Sequence, residues 1–154
     1  LYTGGRYREL TLMRVQDVDL KGGQVHFENT KSGDARTVPL NTEGLAHFKS
    51  LVKGRKNSDY AFVCTNGDHL RKSMQLRRMP DSSIAAKIEK PVNFHQFRHT
   101  YASLLTQSGM SMRSIQELLG HADMRITVQH YSHLQPDHIA EQVREHLPSF
   151  GDAL

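Results

Sequence analysis

Apolar residues recur at helical spacing most clearly between positions 93 and 119. Phe94, Phe97, Tyr101, Leu104 and Leu105 fall on one face of a helix that Asn93 can cap. Gln96, three residues on, can reach back to complete a capping box. Gly109 closes that helix. Ser111 opens a second, with Met112, Ile115, Leu118 and Leu119 as its stripe, and Gly120 stops it. His95 and Arg98 share a different face, near the positive end of the first helix, where phosphate binds readily.

The preceding chain has a mixed pattern. Gly4 and Gly5 allow a tight backbone entry, and Arg6 starts a short helix carrying Glu9, Leu10 and Met13. Arg6 and Glu9 are three apart and can pair on its surface. Residues 15–40 read as extended. Val18 and Leu20 precede the turn Lys21-Gly22-Gly23, and Val25 and Phe27 then alternate with His26 and Glu28. A second turn, Lys31-Ser32-Gly33-Asp34, leads into Arg36-Thr37-Val38-Pro39-Leu40. The prediction is a three-stranded antiparallel sheet with Lys31 at the tip of its second hairpin.

Asn41 or Thr42 caps a helix with Leu45, Phe48, Leu51 and Val52 on one side, and the apolar run at 60–64 is expected to be buried. Residues 70–90 are basic, with a helix through Met74, Leu76 and Met79 that Pro80 is expected to break, then a short helix from Ser83 to Ile88. Pro136 suits the start of a terminal helix over 136–150 with Ile139, Val143 and Leu147 in register. Whether it docks on its own domain or on a neighbour stays open. The fold class is α+β, mainly α-helical with a small three-stranded antiparallel sheet.

Composition narrows the chemistry. At 154 residues the chain suits one domain, and no apolar run reaches the roughly 18 residues of a membrane span. Cys64 is alone, so no internal disulfide forms and a cytoplasmic setting is expected. Twenty Lys and Arg against sixteen Asp and Glu give +4, a mild lean towards polyanions. Leu1 is not an initiator methionine, and the chain is expected to be a piece of something longer.

Several readings of the histidines compete. His95 and His99 are four apart, as zinc ligands can be, but Gln96 stands where a metalloprotease carries its glutamate and no third ligand is marked. No metal is expected. A Gly-x-Ser-x-Gly elbow and a P-loop are both missing. Ala102 to Leu119 has the grammar of a helix-turn-helix that reads the major groove. A DNA-binding module of that kind leaves Arg6, Lys31, His95, Arg98 and Tyr131 with no joint task.

Five segments change the picture: Thr3-Gly4-Gly5-Arg6-Tyr7-Arg8-Glu9-Leu10, Thr30-Lys31-Ser32-Gly33, His95-Gln96-Phe97-Arg98-His99-Thr100, Leu119-Gly120-His121 and His130-Tyr131-Ser132-His133. Their order resembles that of tyrosine recombinases, and the chain resembles the catalytic domain of a phage-type integrase. The resemblance covers residues 1 to about 140 and departs at 70–90 and in the ten-position interval from His121 to Tyr131, one longer than is commonest.

It implies Arg6, Lys31, His95, Arg98 and His121 as catalytic groups and Tyr131 as nucleophile. Arg6, Arg98, His95 and His121 would bind the phosphate, with Glu9 structural and His99 behind them. Two arginines form a natural clamp, because guanidinium stays protonated and offers paired donors to phosphate oxygens. Losing one such donor typically costs about 2.7–4 kcal/mol of transition-state stabilisation. A tyrosine, with an ordinary pKa of about 10, needs a base, for which the resemblance offers His95. Lys31 would protonate the departing 5′-oxygen.

The implied activity is DNA strand cleavage and rejoining through a 3′-phosphotyrosyl link, integrating or excising a mobile element without a cofactor. A type IB topoisomerase is a chemical variant. Implied partners are double-stranded DNA, further subunits forming a tetramer, and accessory DNA-bending proteins, with no membrane. Full-length relatives also carry an N-terminal domain that clasps DNA.

Overall fold

Val25 and Phe27 alternate with polar neighbours, and that period of two sets the sheet. In the computed structural model, which describes residues 1–28, 35–64, 66–67 and 70–134, β1 (Val18–Asp19), β2 (Gln24–Phe27) and β3 (Arg36–Pro39) pair antiparallel in the order β1-β2-β3. Val18 lies opposite Val25, and Val25 opposite Val38, so three valines stack across one buried face. The expected extended stretch begins instead with a short 3-10 turn, Val15–Asp17, whose Asp17 carboxylate accepts the Arg14 N–H at 2.7 Å. The hairpin tip with Lys31 and the expected terminal helix over 136–150 lie outside the described residues.

Six helices accompany the sheet among the described residues: α1 (Tyr7–Leu12), α2 (Thr42–Val52), α3 (Lys72–Ala85), α4 (Phe94–Gln107), α5 (Met112–Leu119) and α6 (Met124–Tyr131). Asn41 caps α2, its Oδ1 accepting from Gly44 N–H at 2.8 Å. The capping box of α4 forms as its sequence predicts. Gln96 N–H donates to Asn93 Oδ1 at 3.1 Å, and Asn93 N–H to Gln96 Oε1 at 2.7 Å. Ser111 caps α5 through Ser114 N–H at 3.1 Å. The short α6 is not predicted by the apolar pattern; Asp123 caps it by accepting from Arg125 N–H at 2.9 Å.

One further expectation is corrected. Pro80 does not break its helix: α3 runs through it to Ala85 as one piece. Proline removes one N–H from the ladder, and Ser83, buried one turn on, holds the later turns. Its hydroxyl donates to Met79 O at 2.8 Å and accepts from Val92 N–H at 3.1 Å. The apolar stripe of α4 flanks its innermost face, with Tyr101 and Leu105 packed against the buried residues of α5 and α6. Arg98, Ala102 and Thr106 point inward, while Leu104 is 57% exposed and Phe94, Phe97 and Tyr101 line an open groove beside Leu1 and Tyr2.

The apolar interior forms two clusters. One joins the sheet to α2 and to Met13 and Ala61, and the other gathers Ala102, Met112, Ile115, Leu119 and Tyr131 from α4, α5 and α6. Leu118 packs against the first cluster although its helix belongs to the second, so the end of α5 sits on the seam. Gly4 packs against α4 at φ +57°, and a Cβ there would stand 2.4 Å from Tyr101 Cδ1. Gly4→Ala is therefore expected to lower stability by about 3 kcal/mol, combining left-handed strain with overpacking. Gly23→Ala has similar φ (+65°) but open space, and should lose only about 1 kcal/mol. Urea titrations of the two variants provide the comparison.

Candidate active site

The last carbonyls of a helix have no partners within it and carry its negative dipole end. At α5 the chain leaves through Gly120 at φ 64°, a left-handed turn that directs three successive carbonyls towards cations. Arg36 Nε donates to Leu118 O at 2.7 Å, Arg98 Nη2 to Leu119 O at 2.6 Å, and Arg6 Nη2 to Gly120 O at 3.1 Å. Arg98 Nη1 also donates to Gly4 O at 2.8 Å, tying α4 to the entry of α1. Three arginines from distant segments are thus fixed to one helix end.

Glu9 balances them. Its buried carboxylate accepts from Arg6 N–H at 2.6 Å, Arg6 Nη1 at 2.9 Å, and Arg36 Nη1 and Nη2 at 2.9 and 2.8 Å. Burial alone would raise its pKa, but hydrogen bonds from Arg36 and Arg6 and the Arg36 charge hold it down at about 2. Arg98 is lowered to about 10, first by burial and then by the charges of Arg6 and Arg36, and so stays protonated near neutrality.

His121 follows directly. Its Nδ1 lies 2.9 Å from Thr127 Oγ1, and burial with the nearby Arg98 and Arg6 charges lowers its pKa to about 4. It is neutral at physiological pH. With Nδ1 engaged by the Thr127 hydroxyl, Nε2 is the ring nitrogen that this contact leaves open.

Tyr131 ends α6 and is 3% exposed, not the surface residue that a lone tyrosine suggests. Its hydroxyl lies 2.5 Å from His99 Nδ1. Burial raises the phenol's pKa while the charge of Arg98 opposes the rise. His99 is lowered by burial, then by His95, His130 and Arg98, which favours the neutral ring and an accepting nitrogen. His95 is exposed on the first turn of α4, its ring centroid 4.4 Å from that of His99.

The structure thus brings together Arg6, Glu9, Arg98, His99, His121 and Tyr131. His99, the residue expected to stand behind the others, contacts the tyrosine hydroxyl. Lys31 lies outside the described residues. Sequence reasoning missed Arg36 and Thr127. Arg36 had a signal: on a strand it shares the face of Val38, which is buried, so its guanidinium needed a buried acid. The helix, turn and helix expected over Ala102 to Leu119 correspond to the end of α4, a short connection and α5, and α5 ends in the arginine cluster. Among the described residues no three His, Cys, Asp or Glu are grouped to hold a metal, and no helix is long and apolar enough to cross a membrane.

The mainly helical fold with its three-stranded antiparallel sheet is that of tyrosine recombinase catalytic domains. A family model described as the phage integrase family matches residues 1–138, and the chain belongs to that family. Tyrosine recombinase XerA of Saccharolobus solfataricus is 31% identical over 149 residues, covering 97% of this chain and 48% of the relative. XerC of Proteus mirabilis is 34% identical over 143 residues, covering 90% and 46%. The chain therefore spans about half the length of the curated relatives it matches. Among solved structures, a XerA recombinase superposes with TM-score 0.74 at 31% identity, covering 97% of this chain and 56% of that one. The catalytic domain of bacteriophage HP1 integrase gives 0.68 at 26% identity, covering 99% and 80%.

Glu9 generates a pH prediction. Its folded pKa of about 2 lies below the 4.5 of the free side chain, so its contribution is full above pH 4.5 and is lost as pH falls towards 2. Near neutrality Glu9→Gln should be less stable than the parent by about 3 kcal/mol. In urea titrations stepped from pH 6 to pH 3, the gap between the two proteins should narrow steadily once pH passes below about 4.5.

Proposed function

We propose that this chain is the catalytic portion of a site-specific DNA recombinase that cleaves and rejoins strands through a covalent 3′-phosphotyrosyl intermediate. The observation that carries the reading is a buried phenol, Tyr131, hydrogen-bonded to a histidine biased towards neutrality within reach of the Arg98 charge. Arg6 and Arg98 are held on adjacent carbonyls, 119 and 120, and suit a clamp on one phosphodiester. The proposed substrate is double-stranded DNA, acted on in the cytoplasm by subunits assembled on paired sites as a tetramer, with bending proteins as accessories. Integration or excision of a mobile element is the expected outcome.

In the proposed reaction Tyr131 Oη attacks phosphorus while its proton passes to His99 Nδ1, and the bond from phosphorus to the 5′-oxygen breaks. Lys31 is the proposed donor of the proton that this oxygen takes up. Arg6 and Arg98 bind the non-bridging oxygens, where negative charge grows, and His121 offers its Nε2–H to one of them. His95, exposed beside His99, is the proposed contact to the outer phosphate oxygen. The phosphotyrosyl bond conserves the energy of the phosphodiester, so a 5′-hydroxyl from another strand reverses the attack. That second step returns the proton from His99.

The test uses a pool of nicked duplexes of randomised sequence, in which cleavage releases a short strand and traps the enzyme. Wild type should give a detergent-resistant protein–DNA adduct, and Tyr131→Phe none. Arg98→Ala should form it about 100 to 1,000 times more slowly. An equal yield from Tyr131→Phe would contradict the reading. Relaxation of supercoiled DNA without site preference would point to the topoisomerase variant.

A further inference from the structure

Arg36 stands outside every motif, yet its side chain is only 6% exposed and all three guanidinium nitrogens are engaged. Its guanidinium carbon lies 4.4 Å over the ring of Phe27, which fixes its plane. It grips both oxygens of Glu9, the same carboxylate that Arg6 holds through one side-chain nitrogen and its backbone N–H. Arg98 feels both Arg6 and Arg36 as repelling charges and Glu9 as an attracting one. Three cations against one anion leave a net charge of +2 at the end of α5.

The division of Glu9 matters for the site. A carboxylate serving Arg6 alone would cancel its charge and draw its donors away from a ligand. A bidentate arginine that shares both oxygens takes up that negative charge instead. A buried ion pair by itself stabilises a fold weakly compared with apolar packing, so stability gives little reason for a second arginine on the acid that already holds Arg6.

We propose that Arg36 is a positioning residue: it neutralises Glu9 so that Arg6 keeps its positive charge for a phosphate, and it anchors β3 to α5 through Leu118. The proposal rests on the reading of Arg6 and Arg98 as a phosphate clamp. It gives β3 a task beyond sheet pairing, since the strand also sets the charge of the clamp.

The test follows tungstate affinity by calorimetry and adduct formation on the nicked duplex pool, using the whole chain. Arg36→Gln should weaken tungstate binding about fivefold or more, as one uncompensated buried charge requires. Removing the acid as well, in Glu9→Gln with Arg36→Gln, should restore most of that affinity, and Arg36→Lys should restore part. A double variant no better than Arg36→Gln overturns the proposal. So does Arg36→Gln binding like wild type, or a wild type that binds no tungstate. Should Arg36→Gln fail to fold, the double variant is compared with Glu9→Gln alone: agreement within about twofold supports the proposal, and a larger fall overturns it. Were tungstate to follow the expected pattern with no adduct from any protein, the recombinase reading would fail while the role of Arg36 stands.

Discussion

Three carbonyls at the end of one short helix organise this molecule. Leu118, Leu119 and Gly120 each accept from a different arginine, and those arginines arrive from β3, from α4 and from the entry to α1. A helix C-terminus that buries its carbonyls must find donors for them. For these three the donors are all cationic, so the satisfaction of a helix end also gathers positive charge at one place. Gly120 makes the arrangement possible by leaving α5 in the left-handed conformation, with Arg36 Nη1 3.0 Å from where a Cβ would stand.

That gathering of charge shapes the ionisable groups around it. Glu9 is kept ionised by Arg36 and Arg6, while burial and the charges of Arg98 and Arg6 hold His121 well below the usual histidine range. Histidines that stay uncharged near neutrality can accept a proton or donate a single hydrogen bond, which a permanently charged ring could not do in turn. Tyr131 has its pKa raised by burial and opposed by Arg98, so its chemistry depends on a partner to take the proton. His99 occupies that position, one turn along α4 from His95.

Much of this was legible in the sequence. The capping box at Asn93 and Gln96, the Ser111 cap and the Gly120 stop rest on local chemistry, and local chemistry survives folding. The sheet was legible because Val25, Phe27 and Val38 alternate with polar residues. What escaped depended on the third dimension. Pro80 was expected to break α3, but the bonds of Ser83 to Met79 and Val92 hold the turns after it. Which histidine meets Tyr131 depends on the packing of α6 against α4, and α6 itself left no clear apolar pattern. Arg36 was hinted at by sharing the face of Val38, but its partner Glu9 lies 27 residues away and is brought to it only by the fold. The resemblance named Arg6, Arg98, His121 and Tyr131 because their motifs recur in order; it did not supply the acid–base balance that positions them.

The central claim is that parts of the chain far apart in sequence build a single seat for one phosphate next to the tyrosine. A crystal of the chain carrying tungstate, with the metal located by its anomalous scattering, tests this directly. The account predicts one ion within hydrogen-bond reach of both Arg6 and Arg98, on the side facing Tyr131. Separate ions, each held by one of these arginines and turned away from the phenol, would contradict it.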